Sequence, residues 1–413
     1  MRKFNSYLIE SALNLALSPD VRSPIIDAGG KIYQVGGAVR DEMLGKVSKD
    51  LDLLVVGVEL NKLAKILKPF GKVNMVGKAF GIIKFKPERS EEDIDISVPR
   101  IDSKSTGKGH KDFEVKLGKG ITLQQDQLRR DFWMNAMAKD IETGKIHDIG
   151  RKGQTDIENE QIRVIDPKAF KEDPLRMLRA VQFAARFDFK IEPETMKLIK
   201  KNVKDINSVS ADRFQEEFRK MYEKGKPSVG VDLLKETGII YQLFHKVEQN
   251  FPIELDKMDK KAFPAFLSVL LRHNPPKTIM KRLRLSKEDT TAMHNVTNYI
   301  HGSSSTSQID INSEVGLVDF LLTASPLGIK NIDAYLKAMR KPTVSDRLKQ
   351  MKRAGKPTNL KELGVNGRDL AKAGFRGKEI GDALGYLLNY AIEYNNNDKK
   401  HLLDVAKSQY DKS

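Results

Sequence analysis

Tyr33-Gln34-Val35-Gly36-Gly37-Ala38-Val39-Arg40-Asp41 runs from an apolar β-type segment through two glycines into a helical pattern. Such a turn lets backbone N–H groups approach a phosphate closely. Alone it is weak evidence, because many strand-to-helix connections carry glycine for steric reasons only. The next segment of the chain narrows the choice. Lys49-Asp50-Leu51-Asp52 heads the apolar run Leu53-Leu54-Val55-Val56, and strand alternation is expected to place Asp50 and Asp52 on one face and Leu51 on the other. Two carboxylates at the head of an apolar strand repel each other unless cations bridge them. The plainer alternative for the same tripeptide is a solvated strand end. Asp93-Ile94-Asp95-Ile96 offers a third carboxylate, Asp93 or Asp95, and both also read as solvent-facing.

A chain of 413 residues is too long for one ordinary core, and roughly two to four structural units are expected. Its 72 Lys and Arg against 56 Asp and Glu leave a net charge of +16, a surplus that collects polyanions by counterion release and favours nucleic acid. No apolar run approaches the roughly 20 residues of a spanning helix, and no signal peptide pattern opens the sequence. The expected location is cytosolic, with no membrane partner. The absence of cysteine excludes disulfides, cysteine-ligated zinc and thiol nucleophiles, and the seven scattered histidines form no HExxH pattern. Any metal is therefore expected on carboxylates, which suits hard Mg²⁺. Two such ions at Asp50 and Asp52 would activate an attacking 3′-hydroxyl and neutralise charge on an α-phosphate and departing pyrophosphate, the chemistry of nucleotidyl transfer.

The first 150 residues hold short β-rich runs, Ile32-Val35, Leu51-Val56, Phe80-Phe85, Asp93-Val98 and Phe113-Leu117, with helical patterns between them. From about Lys171 the chain turns helical, beginning with Asp173-Phe187, Asp212-Lys224 and Ser228-Thr237. Phe4-Leu17 reads as an amphipathic helix ahead of the first strand. Joints are expected at Lys226-Pro227, Pro275-Pro276 and Gly355-Lys356-Pro357.

Gly-Gly-x-Val-Arg-Asp followed by Asp-x-Asp resembles the head domain of class II tRNA nucleotidyltransferases, the family of CCA-adding enzymes and bacterial poly(A) polymerases. Arg129-Arg130-Asp131-Phe132 with Asn135-Ala136 is similar to that family's ribose-recognition motif, although Trp133 and Met134 replace its usual Thr-Ile. The resemblance implies a nucleotide site made of Gly36, Gly37, Arg40, Arg129, Arg130, Asp131 and Asn135. Asp148-Ile149-Gly150 and Gly153-Gln154-Thr155-Asp156-Ile157 resemble its hinge between head and neck. Glu172-Asp173-Pro174-Leu175-Arg176-Met177-Leu178-Arg179 resembles its templating motif, in which Asp173, Arg176 and Arg179 contact the incoming nucleotide. Cytosine and adenine each present an amine donor beside a ring-nitrogen acceptor, which an aspartate and an arginine can satisfy together, whereas uracil and guanine present the reverse. For an anonymous helix, Asp173 and Arg176 would instead read as a surface ion pair of little worth. The family often has arginine where Gln182 stands, and Ser210-Ala211-Asp212-Arg213 with Glu216-Glu217 resembles its last motif, a helix start that braces the neck.

Val365-Asn366-Gly367-Arg368-Asp369-Leu370, Gly374 and Gly377-Lys378-Glu379-Ile380-Gly381 resemble the tail of CCA-adding enzymes, with Arg368, Gly377 and Lys378 placed to hold tRNA phosphates. A surface helix–loop–helix with solvated lysines is the alternative. The resemblance implies an α+β chain: an N-terminal extension (1–30), a polymerase β-like α/β head with a mixed sheet (31–150), and an all-α neck (151–240), body (241–345) and tail (346–413). The implied activity is addition of CMP and AMP from CTP and ATP to the tRNA 3′ end with two Mg²⁺ ions. Poly(A) polymerase and partial CC- or A-adding enzymes are the rivals within the family. Val76-Gly77-Lys78-Ala79-Phe80-Gly81-Ile82-Ile83 looks like the CCA type and lacks the Arg-Arg-Phe associated with polymerases. A catalytically silent RNA-binding protein would explain the charge and the tail, but not Asp50, Asp52, Asp173 and Arg176 together.

Overall fold

The computed structural model describes residues 17–46, 51–77, 81–88, 93–105, 113–249, 254–271, 273–301, 313–323, 326–338, 340 and 342–410. Asp50 lies outside the described residues, as does nearly all of the expected Phe4-Leu17 helix. By its internal packing the chain divides into two compact units, Met1–Met221 with Val229–Leu243, and Tyr222–Ser228 with Phe244–Ser413.

The first unit is built on a mixed seven-stranded sheet. Elements α1 (Pro19–Asp27), β1 (Lys31–Val35), α2 (Gly37–Met43), β2 (Asp52–Val56), α3 (Leu60–Leu67), β3 (Gly71–Gly77), β4 (Ile82–Pro87) and β5 (Ile94–Ser97) follow in order. After a separate hairpin of β6 (Arg100–Ser105) and β7 (Phe113–Leu117), α4 (Leu123–Leu128), β8 (Ala138–Asp140) and β9 (Ile146–His147) complete it. The strand order is β3-β4-β5-β2-β1-β8-β9. Within this sheet, among the described residues, only β2 and β5 pair in parallel, with Asp52 opposite Asp95, while β1 pairs antiparallel to β2 with Tyr33 opposite Leu54.

Alternation along β2 divides the cores. Leu53 and Val55 pack with Ile32, Ile83, Phe85, Ile94 and Ile96 on one face, and partly buried Leu51 joins them. Helix α3 closes that face through Leu60, Leu63, Ala64 and Leu67, the i, i+3, i+4, i+7 stripe of an amphipathic helix. Leu54 packs on the other face with Tyr33, Val35 and Ala138. That second core is small, and Asp52 projects to the same side by alternation.

Beyond the sheet, α5 (Lys152–Glu158), β10 (Gln161–Ile162), α6 (Ala169–Glu172), α7 (Leu175–Phe187), β11 (Lys190–Ile191), α8 (Pro193–Asn202), α9 (Ala211–Lys224), α10 (Pro227–Glu236) and α11 (Ile239–Leu243) follow. The helix expected from Asp173 begins at Leu175. Asp173 takes extended angles (φ −136°, ψ 97°) because the next residue is Pro174, which disfavours helical backbone before it. Most of α7 is buried, including Gln182 at 2% exposure, so the position where relatives often carry arginine faces the interior.

The second unit is helical: α12 (Phe263–Leu270), α13 (Pro276–Leu283), α14 (Lys287–His301), α15 (Glu314–Thr323), α16 (Pro326–Ala338), α17 (Val344–Arg353), α18 (Gly367–Lys372), α19 (Lys378–Glu393) and α20 (Lys399–Gln409). All of α12 is buried, and Phe263 and Phe266 pack against Tyr222. Among the described residues no helix is long and apolar enough to cross a membrane.

Candidate active site

Gly36 sits at φ +71°, in the left-handed region that favours glycine, and turns β1 into α2. A Cβ built on it would lie 3.4 Å from Arg130 Nη1 and 3.8 Å from Asp52 Oδ2. The glycine turn, the carboxylate at the head of β2 and one guanidinium therefore meet at one place. Asp95 is beside Asp52 in the parallel register and is half-buried, whereas Asp93 is exposed. Asp95 is thus the better placed of the two candidate third carboxylates. Among the described residues no group of three or more His, Asp or Glu side chains is placed to hold a metal ion. The two described carboxylates are hard oxygen donors, a donor set that fits a divalent cation such as Mg²⁺.

The ribose-type motif is anchored by a residue the sequence reading did not single out. Asp126, 0% exposed within α4, receives Arg129 through Nε (2.9 Å) and Nη2 (2.7 Å) on Oδ1. Its Oδ2 receives Arg130 through Nε (3.3 Å) and Nη2 (3.0 Å). Burial alone would raise the pKa of this carboxyl, but Arg130 and Arg129 overcome it and hold Asp126 below the usual carboxylate range. The i+3 and i+4 spacing of the arginines was the available signal.

Asp131 and Asn135 are both buried and face each other, Asn135 Nδ2 donating to Asp131 Oδ1 at 3.0 Å. Arg179 reaches from α7 to donate through Nε (2.9 Å) and Nη2 (2.7 Å) to Asp131 Oδ2. Burial pushes the Asp131 pKa up, yet Arg179, Asn135 and the Phe132 N–H bring it below the ordinary value. Arg40 is only 3% exposed. It donates to Asp41 Oδ1 (2.9 Å) and Asn135 Oδ1 (2.5 Å), and its guanidinium carbon stands 4.5 Å from the Phe187 ring centre. Arg40 and Asn135 therefore lie within the bracing network, behind the surface that Arg129 and Arg130 present.

The base-reading candidates have separate partners. Asp173 pairs with Arg213 (2.7 Å), not with Arg176, and also accepts from the Leu175 N–H at 3.2 Å. Arg176 Nη2 donates to the Arg129 carbonyl at 2.9 Å. Arg213 and Glu217, both in the last motif, thus reach the site: Glu217 Oε1 stands 3.4 Å from Arg179 Nη1. A surface ion pair between Asp173 and Arg176 is not formed because the extended backbone at Asp173 turns its carboxylate toward α9.

In the hinge segment, Asp148 accepts from the backbone N–H groups of Gly153 (3.0 Å) and Gln154 (2.8 Å) and so caps α5. Gly150 and Arg151 both have positive φ, 60° and 57°. Gly153 is required for packing: a Cβ there would stand 2.6 Å from the Trp133 carbonyl oxygen and 2.7 Å from Met137 Cγ. Gly153→Ala is expected to destabilise the first unit by about 1–3 kcal/mol through overpacking, read as a lower melting temperature, whereas an unchanged melt would contradict that packing.

In the second unit, Arg368, Gly377 and Lys378 are exposed. The α18 N-terminus is already capped, with Asn366 Oδ1 accepting from the Arg368 (2.9 Å) and Asp369 (3.2 Å) N–H groups. Gly377, at φ +53°, opens the 16-residue α19 without a side-chain cap.

Residues 32–163 match the family described as "Poly A polymerase head domain", and residues 188–250 match "Probable RNA and SrmB- binding site of polymerase A". A "Multifunctional CCA protein" of Pseudomonas fluorescens is 34% identical over 229 residues, 54% of this chain and 53% of that protein. The head and the segment after it thus resemble the tRNA nucleotidyltransferase and poly(A) polymerase family over these stretches of the chain. The chain spans about half the length of the curated relatives it matches. Its fold is that of the Bacillus stearothermophilus CCA-adding enzyme solved in complex with CTP, with a TM-score of 0.76 at 21% identity over 97% of this chain and 99% of that one. The Thermotoga maritima CCA-adding enzyme complexed with tRNA gives a TM-score of 0.69 at 22% identity over 96% and 97% of the two chains. Nucleotidyltransferases of the polymerase family generally use divalent metals, and Asp52 and Asp95 are neighbouring carboxylates of a kind that would suit one.

Proposed function

We propose that the chain adds CMP and AMP, from CTP and ATP and without a nucleic-acid template, to the 3′ end of tRNA. The observation that carries the proposal is the convergence of Asp52, the Gly36 turn and Arg130, with Arg176 and Arg179 reaching from α7 onto the segment that holds Arg129 and Asp131. In the reaction, the tRNA 3′-oxygen forms a new bond to the α-phosphorus, the bond to the bridging oxygen of the β-phosphate breaks, and pyrophosphate leaves with that electron pair. The proton of the 3′-hydroxyl passes to solvent. Two Mg²⁺ ions, when held by Asp50, Asp52 and Asp95, supply activation of the hydroxyl and charge neutralisation at the phosphates.

Arg129 and Arg130 bind the triphosphate, and the backbone at Gly36 and Gly37 lets it come close. Asp131, Asn135, Arg40 and Arg179 brace the sugar pocket. Asp173 and Arg176 read the base, and their fixed partners, Arg213 and the Arg129 carbonyl, reduce the ordering cost of doing so. Arg368, Gly377 and Lys378 grip tRNA phosphates. The proposed division is extension 1–30, head 31–150, neck 151–240, body 241–345 and tail 346–413, and the proposed location is the cytoplasm, where charged and uncharged tRNA meet nucleoside triphosphates. The complexes of fold relatives with CTP, ATP and tRNA support this reading.

A bidentate base contact contributes about 1–3 kcal/mol of discrimination. Arg176→Ala is therefore expected to reduce the preference for CTP and ATP over UTP and GTP by about tenfold or more, measured as competing incorporation of the four labelled nucleotides on one tRNA. Unchanged selection in that variant would remove the protein-template reading.

A further inference from the structure

We propose that Asp126 is the positioning residue of the triphosphate site, setting the planes of two arginines at once; the inference rests on the nucleotidyl-transfer reading. Asp126 sits within a short helix started by a full capping box, Thr122 with Gln125, so its backbone is fixed independently of the arginines. Each guanidinium meets the carboxylate through its Nε–Nη2 edge, one arginine on each oxygen. A planar fork held along one edge has its opposite edge aimed, which a lysine ammonium on a flexible stem would not have. For Arg130 the direction is visible: Nη1 lies 3.4 Å from where a Gly36 Cβ would stand, and Asp52 Oδ2 lies 3.8 Å from the same point.

A polyphosphate lying along the Gly36 turn meets donors whose directions are already set, so little ordering cost falls on binding.

The test uses the full chain and compares the parent with Asp126→Asn and Arg130→Lys. Calorimetric binding of tripolyphosphate, KM for CTP, KM for tRNA, kcat and the melting temperature are measured for each. Both variants are expected to bind tripolyphosphate about tenfold more weakly, the scale of one lost charge-assisted hydrogen bond. KM for CTP should rise with it while KM for tRNA stays put. Arg130→Lys keeps the charge and loses only the fork, so it carries the test if Asp126→Asn does not fold. Parental tripolyphosphate affinity in folded Arg130→Lys would overturn the proposal, as would variants that melt lower but bind tripolyphosphate normally once folded. If the parent binds tripolyphosphate, the variants bind it weakly, and no nucleotide is ever incorporated, the positioning role stands and the proposed reaction falls. If the parent incorporates CMP without measurable tripolyphosphate binding, the reaction stands and the positioning role falls.

Discussion

Asp52→Asn is expected to reduce nucleotide incorporation by about a thousandfold or more and to leave the fold intact. The substitution is isosteric at a half-buried strand end, and Leu53, Leu54 and Val55 beyond it are fully buried and hold β2 in the sheet. Its neighbour in the parallel register is Asp95. Removing one of two adjacent negative charges relieves repulsion, and with the isosteric amide in place the melting temperature in the absence of metal should change little. In the proposed reaction activity falls because the site loses one of the hard oxygen ligands that would hold a divalent cation. Single-turnover incorporation of labelled CTP, set beside a thermal melt, separates the two effects. A folded Asp52→Asn protein with near-parental incorporation would mean that the chemistry lies elsewhere.

Asp131→Ala is expected to be the most damaging single change to stability among the site residues. Its carboxylate accepts from Arg179, Asn135 and the Phe132 N–H within the interior of the first unit. Removing it strands the partners, and breaking a buried charge pair from one side costs about 3–5 kcal/mol, or roughly ten degrees of melting temperature for a unit of this size. The pH dependence follows from the lowered pKa of Asp131 in the fold. Because the folded value lies below the unfolded one, about 3.9, the stabilisation is fully present above pH 4. It is lost as pH falls from there through the folded value. The parent should therefore lose stability on acidification below about pH 4 with a component that Asp131→Ala lacks. Parallel melts from neutral to acid pH measure that component, and curves that stay a constant distance apart down to the lowest pH would contradict it.

Much of the head was legible because its strands are short apolar, β-branched runs, continuous in β1 and β2 and alternating in β5. Ile32-Val35, Leu51-Val56, Asp93-Val98 and Phe113-Leu117 each fall within a residue or two of an observed strand. β3 was not read, since glycine stands at both ends and Asn74 in the middle, residues disfavoured in strands, and β9 has only two residues. The pairing partners in the site were hidden for another reason. Asp173 finds Arg213 forty residues away, and Asp131 finds Arg179 forty-eight residues away, contacts fixed by packing of α7 and α9 and by the proline that straightens Asp173. Asp126 was legible in principle from its spacing to two arginines, but i+3 and i+4 ion pairs on most helices are solvated and unimportant; its burial, which decides the matter, is a tertiary fact.

In the proposed reaction this chain completes tRNA ends with C and A. The most direct measurement presents the purified protein, with Mg²⁺ and all four nucleoside triphosphates, to tRNAs ending before CCA, after the first C and after CC, beside an unrelated RNA, and resolves the products to single-nucleotide length. The predicted result is growth of each tRNA to the same CCA end, no further extension and little use of the unrelated RNA. Long A tracts on both kinds of RNA, or no incorporation on any of them, would contradict it.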